Sequence, residues 1–463
     1  MAGTATEPLA GRTAVELAAA VRQGQASPLD VVEAHLERIA ALDPRVHAFQ
    51  VVRPDEVREE ARKLVSRGDL AELPLAGVPV AVKDHFEMAG YPSRSGSLAS
   101  SAEPAAADEE LVRRLREAGA VPIGKTTMPE LGLWPFTETA AFGATRNPWS
   151  LDHTPSGSTG GGAAAVAGAM APLALGSDGG GSIRMPAACC GLVGIKPGAG
   201  VVPASTGHSD WCGMSEPGPL ATTVADVALV LDVLAGTSAY RAVAPPGRAL
   251  RIAASSASPA VGVKVRPEVE RCFRATVEAL RGAGHELVAA RPPYRPTDTF
   301  PFLHRAFVGG AEEADPLRFE ALERRTRSWV RTGRWLRRVR RPSPASADAV
   351  RRRFQGWFER SGYDLLLTPT LATPPLRIGA YQGKGLWPTI LGLTRFMPFT
   401  PLMNLLGFPA MSVPAGSSSE GLPIGVQLAA PRGAEPLLLS VASQLETIQP
   451  WPRHAPAGEV QRS

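Results

Sequence analysis

The sequence is poor in the features that mark secretion, membrane insertion or metal binding. Of 463 residues only four are cysteine: Cys189, Cys190, Cys212 and Cys272. They make no C-x-x-C pair and no histidine cluster accompanies them, so no metal site is expected. Cys189 and Cys190 are adjacent and cannot staple a loop; the four read as buried free thiols of a reducing compartment. The opening segment, M-A-G-T-A-T-E-P-L, has no basic stretch leading into an apolar core, so no signal peptide is expected. The longest apolar run, Ala163 to Leu175, is broken by Gly and Pro and is shorter than the ~20 residues of a membrane span. No repeat period is evident. These absences point to a cytoplasmic protein with no membrane partner.

The remaining composition is that of a globular enzyme-sized chain, 44% hydrophobic and 20% charged. A formal charge of only +5 is weak ground for a nucleic-acid partner, and none is expected. The basic excess is local. Residues 324–341, R-R-T-R-S-W-V-R-T-G-R-W-L-R-R-V-R-R, hold many arginines and no acid. They read as a solvated helix with Trp329, Trp335, Leu336 and Val339 packed inward; the alternative is a docking surface for an anionic substrate or partner.

Residues 13–43 predict two helices, the second started by Ser27, Pro28 and Asp30 and carrying Leu29, Val32, Leu36 and Ile39 at helical spacing. Val80–Val82 reads as a buried strand with Lys83 at its end. Further strands are expected at 121–124, 364–367, 410–413 and 424–428, with helices at 108–118 and 163–170. Residues 250–290 predict a strand, helix and strand. This alternation predicts an α/β fold, one large domain with a central mixed sheet covered by helices on both faces. Within 1–463, residues 1–70 form an N-terminal helical region, 71–235 the core, and 236–463 the part that completes the sheet and pocket.

One motif is deceptive. Gly119–Thr126, G-A-V-P-I-G-K-T, fits the phosphate-loop pattern, which works where a strand enters a glycine loop ahead of a helix. Here a charged helix precedes it, the intervening residues are apolar, and Pro122 lacks an N–H. A strand explains these residues better, nucleotide binding is not expected, and Lys125 is expected to tolerate replacement.

The serine–glycine clusters are more specific. P-S-G-S-T-G-G-G at 155–162 and G-S-D-G-G-G-S-I-R-M-P at 176–186 supply hydroxyls and unobstructed backbone N–H groups, and Lys83 supplies an amine. These are the parts of an acyl-transfer site without histidine. The same stretches, with K-D-H-F-E-M-A-G-Y at 83–91, G-K-T-T-M-P-E-L at 124–131, G-P-L-A-T-T-V-A-D at 218–226, N-L-L-G-F-P-A at 404–410 and G-L-P-I-G-V-Q-L at 421–428, resemble the amidase signature family. The resemblance runs from about residue 13 to 446 and is loosest over 290–360.

That resemblance implies a Ser–cisSer–Lys triad: Ser182 as nucleophile, Ser158 as the bridging serine after a cis peptide bond, and Lys83 as base. It also implies an oxyanion hole from the N–H groups of Gly179, Gly180, Gly181 and Ser182, braced by an Asp178–Arg184 ion pair, with neither cofactor nor metal. Thr159, Gly162, Thr222 and His85 depart from the usual pattern, and glycine beside the nucleophile suggests a widened pocket. The implied activity is hydrolysis of a small-molecule carboxamide through a Ser182 acyl-enzyme; an acyl or amido transferase on the same scaffold is the alternative. The pocket is expected from Leu131–Phe136, Asp210–Ser215 and Leu386–Pro401, with Trp134, Phe136, Trp211, Trp387, Phe396 and Phe399 favouring an apolar or aromatic acyl group. A homodimer is compatible with the sequence.

Overall fold

A computed structural model describes residues 8–203, 210–242 and 244–456. Residues 1–7, part of the segment on which the expectation of no signal peptide rests, lie outside it. Eleven of its strands form one mixed sheet. In chain order the strands are β1 Phe49–Val51, β2 Pro79–Lys83, β3 Val121–Thr126, β4 Glu138–Thr139, β5 Gly143–Ala144, β6 Leu173–Asp178 and β7 Val193–Lys196. They continue as β8 Glu216–Ala221, β9 Arg251–Ala254, β10 Glu286–Ala289, β11 Leu365–Pro369, β12 Ala410–Ser417 and β13 Pro423–Ala429. The sheet order is β1-β3-β2-β6-β8-β7-β12-β13-β11-β9-β10, with β4 and β5 a separate hairpin. Pairing is parallel at β3-β2-β6 and at β11-β9-β10, and antiparallel across the middle. Parallel strands need crossovers, and the intervening helices supply them and cover the sheet. The expected mixed α/β domain is what the chain forms.

Local chemistry starts the elements where the sequence predicts. Ser27 Oγ accepts from Asp30 N at 3.1 Å while the Asp30 carboxylate accepts from Ser27 N at 2.9 Å. This reciprocal cap begins the helix Pro28–Val46, which buries Val32, Leu36 and Ile39. The helix Gly160–Ala167 is buried all round, and its glycines permit that: a Cβ on Gly161 would overlap Thr127 and the Ala48 carbonyl.

Gly119–Thr126 is no phosphate loop. Val121–Thr126 is strand β3, and Lys125 is fully buried, donating to the Phe86 carbonyl and to Ser93 Oγ at 2.9 Å. Burial lowers its pKa to about 8, opposed by the Asp84 carboxylate. Asp84 is itself buried, and Lys125 is one of the charges that offset that burial. Lys125 is therefore a core cation, which removes the reason to expect that it tolerates replacement.

All four cysteines are free, Cys212 being partly exposed and the others buried. The helix Arg324–Val339 buries Thr326, Trp329, Val330 and Gly333. Trp335 and Val339 were expected to pack inward and do not; both face solvent. The buried stripe is set by close contact with the helix Thr299–Glu313, where Trp329 Nε1 donates to the Ala306 carbonyl at 3.2 Å. Trp335 lies well off that stripe. No helix among the described residues is long and apolar enough to cross a membrane.

Candidate active site

The site lies at the carboxyl ends of two neighbouring parallel strands, a usual place for a ligand crevice in α/β sheets. Val82 of β2 is in register with Leu175 of β6, so Lys83 ends one strand beside Ser177 and Asp178 at the end of the other. Ser158 follows a cis Gly157–Ser158 bond and precedes the helix Gly160–Ala167, which leads toward β6. Thr159 N donates to the Ser182 carbonyl at 3.1 Å, fastening one serine loop to the other. Lys83, Ser158, Ser177, Gly179 and Ser182 thereby face a single cavity of about 40 Å³.

Lys83 Nζ is 2.7 Å from Ser158 Oγ and 3.0 Å from Ser177 Oγ. It is 1% exposed, and burial pushes its pKa down to about 7, against the opposing pull of the Asp178 and Glu313 carboxylates. A desolvated ammonium is costly, so burial favours the neutral amine. Ser158 is 2% exposed, whereas Ser182 is reached from the cavity.

The loop bearing Ser182 is set by one buried charge network. Arg184 grips Asp178 with two bonds of 2.9 Å, from Nε to Oδ2 and from Nη2 to Oδ1. It also donates to the Thr400 carbonyl at 3.0 Å, to Gln427 Oε1 at 2.6 Å and to Asn404 Oδ1 at 2.6 Å. Asn404 Nδ2 returns to the Asp178 carbonyl at 2.6 Å. Burial works to raise the Asp178 carboxyl, but Arg184 and Asn404 hold it well below the usual carboxylate range. Arg184 and Asp178 are both wholly buried, so each depends on the other and on these amides.

This network corrects one expectation. Gly181 N–H donates to Asp178 Oδ1 at 2.6 Å, so it points away from a substrate oxygen. Among the described residues the N–H groups of Gly179, Gly180 and Ser182 have no protein acceptor. Gly181 instead serves geometry: its φ of +125° suits glycine, and a Cβ there would overlap Thr400 Oγ1.

A second cavity, about 140 Å³, opens on the other side of Ser182. Ser182, Gly132 and Trp211 line both. The larger one is mostly apolar, walled by Leu133, Trp134, Phe302, Leu303, Leu393 and Met397, with Arg295 and Asp298 also at its lining. Of the expected aromatics, Trp134 and Trp211 line it. Phe396 and Phe399 are buried in the core, Phe136 stacks on Trp134 and Tyr381, and Trp387 faces solvent. Phe302 and Leu303 lie in the stretch where the family resemblance is loosest, and nothing in their spacing marks them as lining. The glycines do not widen the pocket. A Cβ on Gly179 would stand 3.2 Å from Trp211 and one on Gly180 3.0 Å from Phe302; the missing side chains let these rings close in. Gly162 is likewise filled, by Ala174 and the Thr159 methyl.

Ser177, Thr400, Asn404 and Gln427 were not singled out by sequence. Ser177, Asn404 and Gln427 sit inside quoted motifs, but their partners lie up to 243 residues away, which a linear reading cannot pair. No group of acidic, histidine or cysteine side chains suited to a metal occurs among the described residues.

Comparison with known proteins agrees with this architecture. A family profile described as Amidase matches residues 30–439. The putative amidase AmiB2 of Mycobacterium tuberculosis is 42% identical over 443 residues, covering 92% of this chain and 94% of that protein. An acylamidase of Rhodococcus erythropolis is 33% identical, covering 97% and 98%. Among solved structures, 6-aminohexanoate cyclic dimer hydrolase complexed with substrate superposes with a TM-score of 0.88 at 30% identity, covering 96% of this chain and 98% of that one.

Proposed function

The chain belongs to the amidase family, and from that premise we propose that Ser182, Ser158 and Lys83 hydrolyse the C–N bond of a carboxamide through an acyl-enzyme. The observation that carries the assignment is a neutral-capable, buried Lys83 held 2.7 Å from Ser158 Oγ in the cavity that Ser182 faces.

Neutral Lys83 accepts the Ser158 hydroxyl proton as Ser158 accepts that of Ser182; a hydroxyl can donate and accept at once. Ser182 Oγ attacks the carbonyl carbon, and the N–H groups of Gly179, Gly180 and Ser182 receive the developing oxyanion. The proton then returns through Ser158 to the amide nitrogen, the C–N bond breaks, and ammonia or an amine leaves. Water attacks the ester, the same relay takes its proton, and the carboxylic acid is released with Ser182 restored.

The mostly apolar cavity receives the acyl group, because its walls offer mainly carbon surface, Arg295 and Asp298 being its charged lining residues. Its apolar and aromatic lining favours an apolar or aromatic acyl chain. The cytoplasm, where thiols stay reduced, suits four unbridged cysteines. Incubation with aryl and alkyl carboxamides, with release of ammonia or amine measured alongside labelling by a fluorophosphonate, tests the reading. Turnover with labelling confined to Ser182 supports it; labelling elsewhere, or none, refutes it.

A further inference from the structure

Every Phe or Trp that is largely exposed among the described residues lies on one set of three packed helices. Phe300, Trp335 and Trp387 are 70, 60 and 57% exposed, joined by Val339 and Leu391 at 66 and 67%. They stand on the packed helices Thr299–Glu313, Arg324–Val339 and Leu386–Phe396. Trp335 and Val339 are one turn apart, as are Trp387 and Leu391, so each pair shares a face. Phe300 is two turns before Phe307 on one face, and Phe307 meets Trp329 at 4.3 Å and Trp387 at 6.0 Å between ring centroids. His304, one turn after Phe300, bonds the Arg340 carbonyl at 2.9 Å, bringing the end of the arginine-rich helix to the same edge.

Solvent-facing aromatics on neighbouring packed helices mark a contact surface. The charges around it define the partner. Arg338, Arg340 and Arg341 close the arginine-rich segment, and Arg395 lies one turn beyond Leu391; all four are exposed and have no acidic partner among the described residues. By contrast Arg337 is held by Asp315 at 2.6 Å. A second copy meeting this face about a two-fold axis would set arginines near arginines, which opposes association. An anionic surface meets both the arginines and the rings.

The patch also adjoins an entrance. Thr299, Phe302 and Leu303 of one helix and Ile390 and Thr394 of another line the apolar cavity that reaches Ser182. Phe300 and Leu391 alternate with these lining residues on the same two helices.

We infer that this face docks on an anionic lipid bilayer, with Phe300, Trp335, Trp387 and Leu391 at the headgroup–acyl boundary and Arg338, Arg340, Arg341 and Arg395 on lipid phosphates. Rings and arginines in one interfacial patch bind in this way. Resting on the proposed amidase activity, the same geometry lets an apolar amide pass from the bilayer into the cavity. No helix among the described residues is long and apolar enough to cross a membrane, and docking on the surface needs none; the inference departs from the expectation of no membrane partner.

Co-sedimentation with vesicles tests this, using phosphatidylcholine alone or with about one-third phosphatidylglycerol, at low salt and at about 0.5 M salt. Binding is expected only to the anionic vesicles at low salt, and the double variant Trp335→Ser/Leu391→Ser should weaken it at least tenfold. Hydrolysis of a small water-soluble amide by that variant should be unchanged, which also shows it is folded. Binding to neither vesicle, or equally to both, overturns the inference. A dimer that the same substitutions dissociate gives the face to a second copy and overturns it too. Vesicle binding is read without turnover, so its failure leaves the amidase reading standing. Failure of both proteins on the soluble amide sinks that reading alone.

Discussion

Beneath Ser182, the loop Asp178–Arg184 is held by fully buried charges and amides with named partners. Above it, the cavity wall from Thr299–Glu313 and Leu386–Phe396 offers apolar side chains and no comparable network at its lining. The floor fixes a reacting atom to within hydrogen-bond tolerances, which directional bonds can do and apolar packing cannot. The wall need only exclude water and accept a shape. The difference teaches that the two can vary separately: floor substitutions should change the rate or the fold, and wall substitutions the substrate.

The largest effect belongs to the floor. Ser182→Ala should lower kcat by about 10⁵-fold or more, the scale for loss of a serine nucleophile, with circular dichroism unchanged. Persistent fluorophosphonate labelling of that variant would move the nucleophile elsewhere. Lys83→Met and Ser158→Ala should each cost about 10²- to 10⁴-fold as the proton relay is cut. Thr159→Ala should cost far less, since among the described residues Thr159 Oγ1 donates only to the Ser177 carbonyl, at 3.3 Å. Equal losses from Ser158→Ala and Thr159→Ala would show that loop shape, not proton transfer, is what matters.

Removing buried cations should damage the fold instead. Arg184→Met strands Asp178 and should destabilise by about 3–5 kcal/mol, read from denaturant midpoints. Lys125→Met, leaving Asp84 without that neighbouring charge, should cost about 1–3 kcal/mol, and ATP should shift neither protein's melting temperature. The smallest change is expected at the wall. Phe302→Ala should alter the ratio of kcat/KM between bulky and small acyl amides by about tenfold while kcat on small amides holds. A uniform loss on all amides would place Phe302 in the floor's business and blur the distinction.

The same contrast explains what a linear reading recovers. The floor was legible because its chemistry sits in short segments, glycines flanking Ser182 and a lysine closing an apolar strand, whose residue types admit few other uses. Pairing them across sequence needed the family resemblance, and the diversion of the Gly181 N–H to Asp178 depended on a three-residue turn no motif states. The mixed sheet was legible from alternating apolar runs, although strand order was not. The wall was mostly illegible. Phe302 and Phe396 are equally apolar on paper, yet one lines the cavity and the other is 1% exposed core. Trp335 follows the helical pattern as well as Trp329 does. Only packing against Thr299–Glu313 decides which ring is covered.

The account turns on Lys83 acting as a neutral base with a pKa near 7. The pH dependence of the rate at which a fluorophosphonate labels the free enzyme measures this directly, without product release. Only the deprotonated amine accepts the serine proton, so the rate should rise about tenfold per pH unit below the pKa and level off above about pH 7. The inflection should vanish in Lys83→Met. A flat or falling profile from pH 5 to 8 in the folded enzyme, or an unchanged inflection in Lys83→Met, would contradict it.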